Sequence, residues 1–218
     1  MVALLHKELL LAWRGKARVI AALTFAAATL LMFSFSAGAD SRLLQRLAPG
    51  FLWLAVLLAS TLTLQASFDA ETQDAALDGL VMRASSAAIF YAKALTNWLF
   101  LAGLAIVLLP LIAALFDASL GDLDRLFAVV LAGTAGLAAP GTLYAALAGR
   151  SRAAGLLLPL LYFPLVVPAL VAAVKASELA FFGDPMNQWR GWMSLLLAFC
   201  LIFWSLCGAL STAILEDG

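Results

Sequence analysis

The chain has 218 residues, of which 65% are hydrophobic and only 12% are charged. A soluble globular domain is closer to half apolar and a quarter charged, so this composition is typical of a membrane protein and excludes an ordinary soluble domain. Thirteen basic and thirteen acidic residues give a net charge of zero, which offers no support for nucleic-acid binding.

Residues 1–18 form the first predicted element. On a helical wheel Lys7, Arg14 and Arg18 fall on one face, and Trp13 falls on an apolar face. Such a helix can lie in the membrane interface, with its bases toward the headgroups and its apolar side toward the acyl chains. A simple basic anchor in front of the first span is the alternative.

The end of the first apolar stretch resembles a signal-peptidase site, because Ala37-Gly38-Ala39 follows it. A signal peptide has an apolar core of about 7–15 residues, and the stretch 19–36 is longer. We therefore expect this stretch to be retained as a span.

Six apolar segments are long enough to cross a bilayer, which takes about 20 residues. They are residues 19–36, 49–67, 94–116, 126–148, 154–174 and 191–214. Together they use more than half of the chain, which predicts an all-α membrane protein with one transmembrane domain over residues 1–218. An even number of spans places both termini on the same side. With eight basic residues on that side and five on the other, both termini are predicted to be cytoplasmic.

The predicted loop between the second and third spans, residues 68–93, contains an acidic segment, FDAETQDAALDGLVMR, at 68–83. Read as a helix, this segment has an acidic face and an apolar face. The residues concerned are Glu71, Asp74 and Asp78 on the first face, and Leu77 and Leu80 on the second. Such a helix suits docking, because apolar side chains fill a groove while carboxylates select the partner. A solvated loop is the alternative.

Prolines and glycines interrupt two of the predicted spans. They are Gly136, Pro140 and Gly141 in the fourth span and Pro159, Pro164 and Pro168 in the fifth. Proline removes a helical hydrogen bond, and in lipid the freed carbonyl needs a partner from a neighbouring helix or a cavity. Small residues also allow helices to approach closely. We interpret these positions as kink and packing sites that contribute to gating, with a direct ligand site as the alternative.

Catalytic motifs are missing from this sequence. His6 is the only histidine, so the chain cannot form a zinc site or a catalytic triad that needs further histidines, and no metal site is predicted. Cys200 and Cys207 lie seven residues apart in the last span and are interpreted as packing residues. Since the phosphate-binding motif G-x-x-x-x-G-K-[ST] is also absent, the chain is predicted not to be an enzyme, and any ATP must be hydrolysed by another subunit. The acidic segment is then a candidate docking site for an ATPase.

Four stretches, taken in their order and spacing, resemble the haem exporter protein B family, CcmB. They are LAPGFLWLAVLLASTLTLQASF (47–68), DAALDGL (74–80), AAPG (138–141) and RSRAAGLLLPLLYFPLVVPAL (150–170). The six spans with an N-terminal interfacial helix and a cytoplasmic coupling helix also resemble ABC-2-type permeases. One departure is Ala75, where the family commonly has glycine, which favours a continuous coupling helix.

The resemblance implies a permease of the bacterial inner membrane that takes part in cytochrome c maturation. The partners it implies are a CcmA-like ABC ATPase, a CcmC-like haem-handling protein, a small CcmD-like subunit, a periplasmic CcmE-like haem chaperone and a second copy of the chain. ATP hydrolysis on the partner would drive haem export or release of the haem-loaded chaperone, with haem as a cargo. An ABC-2-type permease for a lipid or drug and a non-transporting scaffold are the alternatives.

Overall fold

The structure, a computed structural model, describes residues 16–36, 38, 40–72, 86–149 and 154–216. This part of the chain contains helices and no strand. The helices are α1 Lys16–Ser36, α2 Ser41–Thr72, α3 Ser86–Phe116, α4 Leu123–Gly149, α5 Ala154–Phe182 and α6 Trp189–Glu216. Each of these six contains a segment long and apolar enough to cross a membrane. The predicted all-α membrane fold with six transmembrane helices is therefore confirmed.

The helices extend beyond the predicted spans. Helix α2 begins at Ser41 instead of position 49, and α3 begins at Ser86 instead of position 94. Residues 68–72 and 86–93, which the sequence analysis assigned to the coupling loop, are consequently helical. Hydropathy detects only the apolar part of a helix, whereas the helix continues for as long as its backbone hydrogen bonds do.

Aspartate side chains cap the first turn of three helices at one end of the bundle, which we call the capped end. Asp40 accepts a hydrogen bond from the backbone amide of Arg42 at 3.0 Å, and Asp122 and Asp184 cap α4 and α6 in the same way. A side-chain cap satisfies an amide that has no partner within the helix. At the opposite end α2 ends and α3 begins, and we call it the first-loop end.

Arg125 joins two of these caps. Its Nε lies 3.0 Å from Asp122, and its Nη1 lies 3.7 Å from Asp184, whose side chain is only 1% exposed. The guanidinium also lies 5.5 Å from the ring centre of Trp189. The ends of α4 and α6 are thus tied together by charge and by a cation–π contact.

Replacing Asp184 with alanine is expected to lower the stability of the protein by about 1–2 kcal/mol, the usual cost of losing a helix cap. The carboxylate accepts backbone hydrogen bonds from Gln188 at 2.7 Å and Trp189 at 2.9 Å, and alanine provides no acceptor. Thermal unfolding in detergent measures the change. Asp184→Asn is expected to lose less than Asp184→Ala, because the single amide oxygen can keep one of the two backbone hydrogen bonds. An unfolding temperature of Asp184→Ala equal to that of the wild type would contradict the stabilising role of the cap.

Helix α4 lies in the middle of the bundle and contacts α2, α3, α5 and α6, whereas α1 lies at the edge against α2 and α3. Leu126, Val130 and Leu137 of α4 are completely buried. Peripheral helices expose large apolar side chains, including Met32 on α1 and Leu201 on α6, which suits contact with lipid. The fold therefore presents α4 to four neighbouring helices.

Candidate functional site

Several of the predicted site residues lie outside the described residues. These are Lys7, Trp13 and Arg14 of the predicted interfacial helix and Asp74, Leu77, Asp78 and Leu80 of the predicted coupling helix. Arg18 lies in α1 and Glu71 lies near the end of α2. Residues 68–72 of the predicted coupling segment thus belong to the end of α2.

The three predicted kink residues of α4 are all buried, but their surroundings differ. A methyl group added at Gly136 would lie 3.5 Å from the Cβ of Ala169, which is ordinary van der Waals contact. A methyl group added at Gly141 would collide with Leu64. The packing against a neighbouring helix is therefore tighter at position 141 than at position 136.

Two of the three predicted prolines of α5 face away from the core. Pro164 and Pro168 are exposed, while Tyr162, Val166 and Ala169 of the same helix are buried in the core. Pro159 also lies within α5. The structure therefore does not bring Pro164 and Pro168 together with the glycines of α4.

Side chains of neighbouring helices donate hydrogen bonds to backbone carbonyls of α4, and we call these four side chains the donor ring. They are Trp98 of α3, Tyr162 of α5, and Cys200 and Trp204 of α6. Their acceptors, in the same order, are the carbonyls of Leu131 at 2.9 Å, Leu137 at 3.2 Å, Ala132 at 3.2 Å and Ala135 at 3.0 Å. All four acceptors lie in the two and a half turns before Pro140, whose ring supplies no amide hydrogen to the carbonyl of Gly136. Three helices therefore hold α4 by its backbone.

The donor ring was not predicted from the sequence. A signal was present, since a buried tryptophan or tyrosine usually finds a hydrogen-bond acceptor, and Trp98, Tyr162 and Trp204 all lie in apolar stretches. In a membrane helix the only abundant acceptors are backbone carbonyls and a few polar side chains. The residue type predicts that an acceptor exists, but does not say which helix provides it.

Trp53 of α2 fills a notch at Gly133 of α4. The side chain is 1% exposed, and its ring occupies the position that a Cβ at Gly133 would need. Its indole nitrogen donates a hydrogen bond of 2.9 Å to Ser177 of α5. Trp53 therefore packs on α4 while it connects α2 with α5.

Two buried polar pairs also link the helices. Asn97 of α3 donates to the hydroxyl of Thr142 on α4 at 3.0 Å, and the hydroxyls of Ser60 and Tyr162 lie 3.3 Å apart. Such bonds in membrane proteins contribute on average about 0.6 kcal/mol each. Their main effect is to set the register of one helix against the next.

Lys93 is buried, which the sequence analysis did not anticipate because it placed this residue at the edge of the loop. It lies in the eighth position of α3 and is 2% exposed. A lysine in this position can direct its ammonium along its aliphatic stem toward the end of the helix. The first-loop end of α3 therefore contains a buried lysine side chain.

The arrangement around α4 is built from apolar packing and from hydrogen bonds to its backbone. Within the described part of the chain, no three His, Cys, Asp or Glu side chains come together as a metal site. Cys200 already donates its thiol hydrogen to a backbone carbonyl, and Cys207 is buried beside Phe90. The candidate site is thus residues 131–141 of α4 together with the donor ring, including the close contacts at Gly133 and Gly141.

Comparisons with known proteins give a consistent result. The sequence profile of the family described as CcmB protein matches residues 1–215. The protein named heme exporter protein B of Pseudomonas aeruginosa is 34% identical over 200 residues, which cover 91% of this chain and 89% of that protein. The protein of the same name from Bradyrhizobium diazoefficiens is 38% identical over 188 residues, covering 85% and 83%. That of Escherichia coli strain K12 is 31% identical over 196 residues, covering 88% and 87%.

Proposed function

Because the chain belongs to the CcmB protein family, we propose that it is the membrane permease subunit of an ABC transporter for cytochrome c maturation. The observation that carries this proposal is the similarity, over more than four fifths of each chain, to proteins named heme exporter protein B. Six helices that can span a membrane agree with a permease. In this role the chain couples ATP hydrolysis on a separate subunit to haem export or to release of the haem-loaded periplasmic chaperone.

The ATPase docks at the first-loop end. This chain has no phosphate-binding motif, so a CcmA-like subunit supplies the hydrolysis. The contact is made by the acidic and apolar faces of the predicted coupling helix, residues Glu71, Asp74, Leu77, Asp78 and Leu80. Support comes from the position of this segment between α2 and α3, which both contact the central helix α4.

The protein lies in the bacterial inner membrane with both termini in the cytoplasm. The larger number of basic residues on the side of the termini, eight against five, supports this orientation. The predicted interfacial helix, with Lys7, Trp13, Arg14 and Arg18, lies on the cytoplasmic surface. The first-loop end is then cytoplasmic and the capped end is periplasmic, where CcmC-like and CcmE-like proteins handle haem.

Gating involves two separate groups of residues. The first group, Gly136, Pro140 and Gly141, shapes the central helix α4. The second group weakens the backbone hydrogen bonding of α5 and consists of Pro159, Pro164 and Pro168. Since Pro164 and Pro168 are exposed in this single chain, they are free to contact lipid or another subunit, such as a second copy or a CcmD-like protein.

A non-transporting scaffold is the second candidate function, favoured by one observation. The donor ring connects α4 to α3, α5 and α6 by hydrogen bonds. Such connections suit a helix bundle that moves as a rigid body more than one that opens along α4. Such a scaffold would transmit motion of the ATPase to haem handling in the periplasm. Haem transfer across vesicles that depends on this chain would exclude it.

The proposed function is tested by purifying the tagged chain in mild detergent and identifying the co-purifying proteins by mass spectrometry. An ABC ATPase together with haem-handling and cytochrome-maturation proteins is the expected result. An ATPase without those proteins would indicate another cargo, such as a lipid or drug. Recovery of the chain without any ATPase would contradict the proposal.

A further inference from the structure

A small apolar cluster lies at the first-loop end, separate from the main core. It consists of buried Phe90, Ala94, Leu143 and Cys207, with Tyr91, Phe203 and Trp204 packed against it. These residues come from α3, α4 and α6. Tyr91 is only five residues after the start of α3, about 8 Å along the helix axis. The cluster is therefore the first packed layer that α3 reaches after the predicted coupling segment.

Tyr91 packs α3 against α6 at Gly208. Its hydroxyl occupies the position that a Cβ at Gly208 would need, so the ring sits directly on the backbone of α6. The same hydroxyl donates a hydrogen bond of 3.3 Å to the carbonyl of Trp204, one turn earlier in α6. The Tyr91 and Trp204 rings are also stacked, with centroids 6.4 Å apart and planes inclined by 19°. Because packed interiors do not deform continuously, we expect a shift of α3 here to displace α6.

Trp204 extends this connection to the central helix. Its backbone carbonyl accepts from Tyr91, and its indole nitrogen donates to the carbonyl of Ala135 in α4 at 3.0 Å. Ala135 lies five residues before Pro140. One residue of α6 thus links the start of α3 with the irregular part of α4.

The hydrogen bonds that join α3 directly to α4, from Asn97 to Thr142 and from Trp98 to Leu131, lie deeper in the bundle. Trp98, which donates to Leu131, is seven residues after Tyr91, about 10 Å further along α3. A displacement that enters α3 at its first residues therefore meets the hydrogen bond from Tyr91 to α6 before it meets either of these two hydrogen bonds to α4.

We propose that Tyr91, Trp204 and Gly208 form a relay that transmits motion of the coupling segment to α6 and α4. This inference rests on the proposed function, since the motion originates in a docked ATPase. The three are positioning residues that touch neither nucleotide nor cargo. A chain that lacks the Tyr91 hydroxyl still binds the ATPase, but ATP hydrolysis no longer drives the rearrangement of the helices.

The test compares Tyr91→Phe with Tyr144→Phe in the complete complex expressed in cells. Both substitutions remove one tyrosine hydroxyl, but that of Tyr144 forms no hydrogen bond within the described part of the chain. Three quantities are measured: ATPase co-purified per permease, ATP hydrolysis rate, and cytochrome c with covalently attached haem per assembled complex. For Tyr91→Phe we expect unchanged ATPase recovery and at least a fivefold lower cytochrome yield per complex, since about fivefold is the low end of coupling between sites. Tyr144→Phe is expected to match the wild type.

The outcomes separate the relay from the proposed function. A cytochrome yield per complex of Tyr91→Phe equal to that of Tyr144→Phe, with the ATPase still bound, would overturn the relay alone. Failure of the wild-type chain to recover an ATPase would overturn both. A merely structural role of Tyr91 would lower the amount of complex and leave the yield per complex unchanged, which also overturns the relay. Gly208→Ala places a methyl group where the Tyr91 hydroxyl lies. It is expected to give the same loss of cytochrome yield per complex.

Discussion

Replacing Gly133 with alanine is expected to destabilise the bundle by about 3 kcal/mol, the upper end of the range typical of an overpacked core. A methyl group at this position would lie 2.7 Å from Cζ2 and 2.8 Å from Cζ3 of Trp53. The tryptophan cannot move aside easily, since its side chain is 1% exposed and its indole nitrogen is bound to Ser177. The midpoint of thermal unfolding in detergent measures the loss.

Gly103→Ala is the matched control. A Cβ at Gly103 would meet no atom within 4 Å, so alanine is expected to be neutral or to stabilise helix α3 by about 0.5–1 kcal/mol. A double-mutant cycle with Trp53→Phe separates the collision from other effects, because the smaller ring leaves more room. If Gly133→Ala costs as much in the Trp53→Phe background as in the wild-type background, the notch is not the cause of the loss.

Charge reversal at Asp74 and Asp78 is expected to weaken binding of the ATPase by about tenfold to hundredfold. Acidic side chains on a docking helix select a basic surface, and lysines there would place like charges opposite each other. Since each tenfold change in Kd corresponds to about 1.4 kcal/mol, the loss amounts to a few kcal/mol at most. Binding of the isolated ATPase to the detergent-solubilised permease, measured at two salt concentrations, gives the values.

Two further variants make this experiment specific. Neutralising both aspartates to asparagine should produce an intermediate loss if the effect is electrostatic, and the difference should shrink at high salt. Asp124→Lys introduces a lysine at the exposed start of α4, at the capped end, and should bind the ATPase like the wild type. Normal ATPase binding and normal cytochrome maturation in the double reversal would rule out docking through this segment.

The glycines and prolines of α4 and α5 show which structural features a sequence pattern predicts and which it does not. Proline and glycine within an apolar run predict a kink or a close approach at Gly141 and Pro164 alike, because both residue types act on the backbone. In the structure Gly141 lies against Leu64, whereas Pro164 points away from the core. The pattern carries no information about the direction of a side chain relative to helices that come from other parts of the chain.

The sequence alone was sufficient to predict the six helices. A run of about 20 apolar residues is stable in hydrocarbon only if its backbone hydrogen bonds are internal, so each run specifies its own helix wherever its neighbours lie. The donor ring and the close contacts at Gly133 and Gly141 could be identified only from the tertiary structure. Trp53 and Ser177 are 124 residues apart, and Trp204 and Ala135 are 69 residues apart. Whether such pairs meet depends on the rotation and depth of two helices, which the packing of the whole bundle determines.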